Sequence, residues 1–360
     1  MQKQLIARAS AFIWPPFAHL ALSISMMVIL AGCSRGGNAP NLGPGVRATT
    51  TGTTAKDAAF RAEDLAGRLL FVRGGVIWQW RGREASALLG NGDAFQPAFS
   101  PDGSRIAYVV RGNDYSDVLL ADAAGAPVSQ LTTNGSRLPI NSLERVYEST
   151  WAFYPAWAPA GDRLVVAAQP APPAGDPAAE YDLSLYELPI RDGQQKQIYA
   201  SDVAHCGRSV YTPSGDALLF VRAGSGAAGD QQIYRLDLTS DTATPVAGVP
   251  TPGYDPAISP DGRWLAFAAR DDTRTDIFAL SLAGGKAPLR LSDVGAARAP
   301  VFSPDGRQIA FLAIAPGESG FDLWLADLST DASGGLRAGT ARRLTTGLRL
   351  DADSGLSWAG

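Results

Sequence analysis

The stretch FQPAFSPDGSRIAYVV, Phe95 to Val110, decides the fold because it recurs along the chain with variations. The copies read YPAWAPAGDRLVVAAQ (Tyr154–Gln169), GRSVYTPSGDALLFVRA (Gly207–Ala223), YDPAISPDGRWLAFAAR (Tyr254–Arg270) and APVFSPDGRQIAFLA (Ala299–Ala313). Each copy is a pair of apolar runs joined by a turn. In the first, Pro97-Ala98-Phe99 leads into Ser100-Pro101-Asp102-Gly103, and Ile106 to Val110 follows. Proline presets φ for the second position of a turn, and glycine tolerates positive φ at its exit. A short loop containing glycine between β-formers reads as a hairpin. The second run is β-branched and aromatic, and too short for a typical helix.

About ten residues further on, each copy adds a third run. These are Val118 to Asp122, Leu183 to Tyr186, Ile233 to Asp237, Ile277 to Leu280 and Leu323 to Asp327. A fourth run follows, such as Pro127 to Thr132 or Ala341 to Thr345. The unit is a four-stranded antiparallel meander, and four strands in roughly 45 residues are the mark of a propeller blade. A hairpin of the form (S/A/T)-P-(D/A/S)-G, followed by an apolar strand and an I-Y-x-x-D-like strand, resembles the TolB-type, WD40-like β-propeller repeat. The resemblance covers roughly residues 66–360. It implies a fold, and such folds host many unrelated activities.

The ends of the repeat region predict how the ring closes. Gly67 to Val72 matches Ser104 to Val109, the part of a copy that follows the turn. Val76 to Trp80 then reads as a third strand and Ala85 to Leu89 as a fourth, so the first blade lacks its innermost strand. The C-terminal Gly355-Leu356-Ser357-Trp358-Ala359-Gly360 matches Pro97-Ala98-Phe99-Ser100, stops just before P-D-G would come, and supplies it. The expected fold is therefore all-β: a six-bladed β-propeller of four-stranded antiparallel blades, closed by pairing the C-terminal strand with the first blade. Closure hides sheet edges that would otherwise template aggregation. The stretch Thr133–Phe153 is where a seventh blade could hide; within it, Ser142 to Tyr147 is compatible with a short helical turn.

Residues 1–32 read as an export signal. Lys3 and Arg8 give a positive start, and Leu20 to Leu30 is almost wholly apolar but short for a membrane span. The ending Leu30-Ala31-Gly32-Cys33 resembles the bacterial lipoprotein lipobox. That resemblance implies cleavage before Cys33 and a diacylglycerol on its sulfur. Residues 33–65 are rich in Gly, Thr, Ala, Asn and Pro, cannot build a core and read as a flexible tether. The expectation is a lipid-anchored, extracytoplasmic protein at the cell membrane or outer membrane. The TolB family carries an extra N-terminal domain and is soluble in the periplasm. The tether and lipid site depart from that, so its specific partners are not carried over.

Alternating strand direction predicts two unlike faces. The S-P-D-G turns and the turns between third and fourth strands share one, the turn face. Loops between second and third strands share the other, the loop face, with the blade connections. The loop face takes Arg111–Asp117, Gly224–Asp230, Asp271–Asp276, Pro316–Phe321, the insertion Asn134–Phe153 and the proline-dense run Pro170–Pro177. Binding residues concentrate on loops held by a rigid scaffold, which favours this face. The first strands line a central channel whose candidate residues are Gln96, Tyr154, His205, Arg208, Asp255 and Arg298. Such a mixed polar ring suits a ligand or peptide end, and equally a water-filled channel.

The residues offer little chemistry. After export His205 is the only histidine, which excludes metal sites or dyads needing two. His205 and Cys206 are adjacent on a strand and point to opposite faces, so they would not pair as base and nucleophile. Cys206 is expected as a free, buried thiol. Gly355-Leu356-Ser357-Trp358-Ala359-Gly360 echoes the nucleophile elbow of serine hydrolases without its strand–turn–helix context. Asp351-Ala352-Asp353 opens like a calcium loop and lacks its closing carboxylates. The net charge is −4, and losing Lys3 and Arg8 makes it −6, which argues against nucleic acid. The leading expectation is a monomeric, non-enzymatic scaffold for an envelope protein or peptide, with no cofactor, no metal and no catalytic residue. The alternatives are a small-ligand or sugar sensor using the channel, and a propeller lyase or hydrolase.

Overall fold

Four strand-forming runs per repeat, alternating with turns, can satisfy their backbone groups only by pairing with one another. The computed structural model describes residues 60–360 apart from Ala62, Ala178, 192–193, 225–230, 285–286 and Ser333. The export signal, Cys33 and the tether up to residue 59 lie outside the described residues. The described strands form six antiparallel sheets, the blades. Blade 2 is Ala94–Phe99, Arg105–Arg111, Ser116–Asp122 and Pro127–Gln130. Blade 3 is Ala152–Trp157, Arg163–Ala168, Ser184–Pro189 and Lys196–Tyr199. Blade 4 is Ala204–Tyr211, Ala217–Gly224, Gln231–Asp237 and Thr242–Pro245. Blade 5 is Gly253–Ile258, Trp264–Asp271, Arg274–Ser281 and Leu289–Arg290. Blade 6 is Ala297–Phe302, Gln308–Ile314 and Phe321–Thr330, with its outer edge split between Leu336–Ala338 and Arg342–Arg343.

Blade 1 is assembled from both ends of the repeat region. Leu65–Arg73, Val76–Gly82 and Glu84–Leu89 take Ser357–Ala359 as their innermost strand, with Leu69 opposite Trp358. The Trp358 indole donates to the Ala66 carbonyl at 2.7 Å. Phe60 packs edge-on against Trp80 at 5.6 Å, and Glu63 pairs with Arg342 of blade 6 at 2.7 Å. The packed chain thus already includes residues ahead of the first strand. Thr133–Phe153 holds no blade; it contains a single 3-10 turn, Leu143–Tyr147, and the start of blade 3.

The core is divided rather than central. Six apolar clusters each lie between two neighbouring blades, with blades 6 and 1 sharing one that includes Trp80, Leu344, Leu350 and Trp358. The second strands are buried on both faces, which is why they read as unbroken apolar runs. Leu69 to Val72 in blade 1 and Ile309 to Ala313 in blade 6 are fully buried at every position. Phe71, Phe220, Phe267 and Phe311 are buried at one shared register, each opposite an aromatic residue of the next strand.

The turn face is a closed ring of contacts. In blade 2, Ser100 Oγ donates to Asp102 at 2.6 Å and accepts from the Arg105 amide at 2.9 Å, while Gly103 exits at φ 67°. Blades 5 and 6 repeat this with Ser259–Asp261 and Ser303–Asp305, both at 2.6 Å. Four of the turn glycines face the turn proline of the preceding blade. Gly161 sits over Pro101, Gly215 over Pro159, Gly262 over Pro213 and Gly306 over Pro260. Gly360 closes the series over Pro304, and Gly103 lies against Ala359.

The loop face is tied down differently. Asp117, Asp276 and Asp322 are buried at the head of their third strands. Each accepts from a Thr or Ser just after the fourth strand: Thr132 at 2.9 Å, Ser292 at 2.7 Å and Thr345 at 2.8 Å. Each also takes amides of the connection to the next blade, which fixes where that connection leaves.

Candidate functional site

Every complete first strand carries a bulge at its channel end, so that two residues oppose one on the partner strand. A bulge re-aims a side chain. Here it places Gln96, Tyr154, Asp255 and Ala299 at φ 52–55°. Their equivalent in blade 1 is Gly355, at φ 72°. In blade 4 the position is Arg208, where Ser209 replaces the usual proline and the bulge lies one residue earlier. The ring through the blades is therefore Gly355, Gln96, Tyr154, Arg208, Asp255 and Ala299.

Four of the six candidate residues converge as charged or aromatic partners: Tyr154, Arg208, Asp255 and Arg298. Arg298 Nε donates to Asp255 Oδ2 at 2.7 Å, and Arg208 Nε lies 3.5 Å from Oδ1. The Ala299 amide donates to the same carboxylate at 3.1 Å. Arg208 crosses the channel, donating to the Asp353 carbonyl of the opposite blade at 2.6 Å. Gly355 is what leaves room for it, since a Cβ there would meet Arg208 Nη1 at 2.5 Å. The Arg208 and Arg298 guanidiniums stand over the rings of Tyr154 and Tyr254 at 5.0 and 4.8 Å. Gln96 joins the ring through its side chain, whose Oε1 accepts from the Tyr154 amide at 2.8 Å.

The electrostatics follow from this packing. Burial would raise Asp255, but the Arg298 charge and hydrogen bond, then Arg208, outweigh it and hold the carboxyl below the usual range. An acid so held is a poor general base near neutral pH. Burial raises the Tyr154 phenol, with Arg208 and Arg111 acting against Asp353 and Asp255. Asp353 faces Arg298 at 3.5 Å, while Asp351 accepts from the Ser354 amide at 3.1 Å, so the two carboxylates of the calcium-like stretch have separate partners. Arg208, with Tyr154 beside it, bridges the centre where the sequence allows a water-filled or ligand-filled channel.

His205 is not part of this cluster. Its Nε2 lies 3.1 Å from Asp182, and its Nδ1 accepts from the Leu183 amide at 3.2 Å, on the side toward blade 3. Cys206 is buried beside it, and desolvation pushes its thiol up to about 12. The two side chains alternate across the strand, as expected of neighbours.

A second feature was not legible as a site. The insertion between blades 2 and 3 is cross-linked from within. Arg145, only 8% exposed, forms a two-pronged pair with Asp114 at 2.9 and 3.1 Å. Its Nη1 also donates to the Ser136 and Leu138 carbonyls at 3.0 and 2.5 Å. Ser149 adds a bond to Asp114 at 2.8 Å. Burial would raise Asp114; the Arg145 and Ser149 bonds and the guanidinium charge outweigh it and hold the carboxyl low. Leu143, which opens the 3-10 turn, is 87% exposed and Ile140, just ahead of it, 66%, with Val146 and Tyr147 also exposed in the turn.

No protein-family model matches the chain, and no curated protein sequence does. Solved structures do resemble it. TolB from Acinetobacter baumannii superimposes with a TM-score of 0.59 at 18% identity, over 82% of this chain and 67% of that one. A putative TolB from Agrobacterium tumefaciens gives 0.50 at 16% identity, over 78% and 91%. A chain of the nidogen/laminin complex gives 0.55 at 13% identity, over 81% and 98%. What the chain shares with these proteins is the propeller fold.

Proposed function

We propose that the chain is a protein-binding scaffold of the cell envelope, exported and held at a membrane by lipid on Cys33, whose loop face receives an envelope protein or peptide. The observation that carries this is the insertion between blades 2 and 3. A surface loop that buries an arginine to fix its own shape, and then turns Leu143 and Ile140 outward, uses its order to present apolar side chains. Rigid exposed apolar residues, rimmed by polar ones, mark protein-docking surfaces. The channel cluster favours the same reading over the sensor and the lyase or hydrolase, because its arginines and acids are engaged with one another. Docking is also within reach of the fold, since a neighbour of similar fold occurs in a nidogen/laminin complex.

The test is copurification from detergent-solubilised cells after in-cell crosslinking. Wild type is compared with a chain whose residues 139–147 are replaced by a Gly-Ser linker. A stoichiometric protein lost with the insertion is the expected result. Its retention would remove the insertion as the docking surface. The anchor is tested separately: Cys33→Ala moves the processed protein out of the membrane fraction, and retention there contradicts the anchor.

A further inference from the structure

Inboard of the insertion, the loop-face mouth of the channel holds a cation of a different kind from those of the central cluster. Arg111 ends the second strand of blade 2. Its guanidinium lies over the Phe95 ring at 4.5 Å and within 5.7 Å of the Phe153 ring. Phe153 in turn stacks on Trp151 at 5.8 Å with an interplanar angle of 9°. Phe95 and Phe153 hold equivalent positions in neighbouring first strands, so the blade repeat itself sets them side by side. The two rings thereby fix where the charge sits before anything binds.

Among the described residues this guanidinium has neither a carboxylate at ion-pair distance nor a hydrogen-bond acceptor, and its Nε is buried without one. Arg208 and Arg298 differ, since Asp255 and Asp353 face them. A second buried donor, on the neighbouring first strand, is also unmatched among the described residues. Gln96 follows Phe95, is 2% exposed, and uses its Oε1 on the Tyr154 amide, leaving Nε2 with no acceptor. Buried donors without acceptors are rare in folded proteins and each calls for an explanation. A planar guanidinium stacked on aromatic rings keeps its donor edge for a carboxylate, which matches it in shape.

We propose that this mouth binds a carboxylate, received by Arg111 between Phe95 and Phe153, and that the carboxylate is an acidic side chain of the protein that docks on the loop face. The second clause rests on the scaffold reading; the first does not. The chemistry is shared by a free carboxylic acid, and the probes separate the two sources.

The experiment is an NMR titration of the purified full-length chain, read at the arginine Nε–H signal assigned to Arg111. The probes are a blocked Gly-Asp-Gly peptide, its Gly-Asn-Gly counterpart and benzoate. The Asp peptide is expected to move the Arg111 signal and the Asn peptide to leave it in place. Arg111→Gln is expected to weaken the Asp peptide by roughly ten- to a hundredfold, the range of a charge-assisted hydrogen bond. Arg111→Lys, which keeps the charge and loses the planar stack, is expected to fall between them. Thermal melts of both variants check that they fold. Equal binding of Asp and Asn peptides, or unchanged binding in Arg111→Gln, overturns the site. Benzoate binding more tightly than the Asp peptide keeps the site and overturns its assignment to a protein. Failure of the scaffold reading registers elsewhere, as a copurifying partner indifferent to the insertion or as none at all.

Discussion

The two faces of the propeller are closed by the same strands and differ in what their connections do. On the turn face, five glycine–proline contacts and the Ala359–Gly103 contact run around the ring, and the turns use one chemistry almost throughout. On the loop face three blades share an aspartate tie to the following connection, but the loops differ in length and sequence, and the longest is stiffened by its own ion pair. The uniform face shows what the ring needs in order to close. The variable face shows where sequence was free to depart from the repeat. Departures that cost a buried Arg145 are the ones to read for function, because burying a charge is expensive unless it is paired.

The largest expected effect breaks the uniform face. Removing residues 356–360 takes away the innermost strand of blade 1 and opens an apolar cluster containing Trp358. A cooperative thermal transition is expected to be lost. A milder version, Trp358→Ala, should cost about 3–5 kcal/mol, the usual range for deleting a large buried aromatic. An unchanged melting temperature in either variant would mean that the C-terminal strand does not close the ring.

Next comes the knot in the loop face. Arg145→Ala leaves the half-buried Asp114 without its cation and the Ser136 and Leu138 carbonyls without their donor, a loss of about 1–3 kcal/mol. Here the cost should fall on the insertion alone. Limited proteolysis is expected to cut within 134–149 while the global melt shifts little. A melt that collapses with it would make the insertion part of the ring rather than a platform upon it.

A smaller effect concerns Gly161→Ala on the turn face. Gly161 has φ 68°, where a side chain costs about 1–2 kcal/mol. The same face should also be acid-sensitive. The Ser100 hydroxyl, then the Ser104 amide, hold the Asp102 carboxyl down to about 2. Hydroxyl bonds from Ser303 and Ser214 likewise lower Asp305 and Asp216. The folded values are depressed against an unfolded value near 3.9. Their contribution is therefore complete above that pH and is lost as pH falls from about 4 through about 2. Melting temperature should be flat above about pH 5 and drop below about 4, and Ser100→Ala should reduce the drop. A melt independent of acid over that window would deny these turns their role.

Much of this architecture can be read from the sequence because the repeat aligns residues that are far apart in the chain. Pro97, Pro155, Pro256 and Pro300 mark the bulges. That alignment places Gln96, Tyr154 and Asp255 at the channel, and Arg208 with them. His205 does not belong with that group, although its strand does. Its partners Asp182 and Leu183 lie in a loop of the preceding blade, and no periodicity links them to it. The part of Asp353 in the channel is hidden because its equivalents Ala94 and Ala152 are small and buried between blades. Arg111 with Phe95 and Phe153 needs the repeat alignment and the stacking geometry together. The Asp114–Arg145 pair joins two irregular segments, where no hydrophobic period exists to be read.

The most direct test of the division between faces is site-specific photocrosslinking in cells, with the reactive group placed at Leu143 on the loop face and, in parallel, at Arg307 on the turn face. Leu143 is 87% exposed, and its replacement should change stability by less than about 0.5 kcal/mol. One discrete protein adduct is expected from Leu143, lost when Arg145→Ala is added, and none from Arg307. An adduct from Arg307 alone, or a Leu143 adduct unaffected by Arg145→Ala, would contradict the assignment of docking to the loop face.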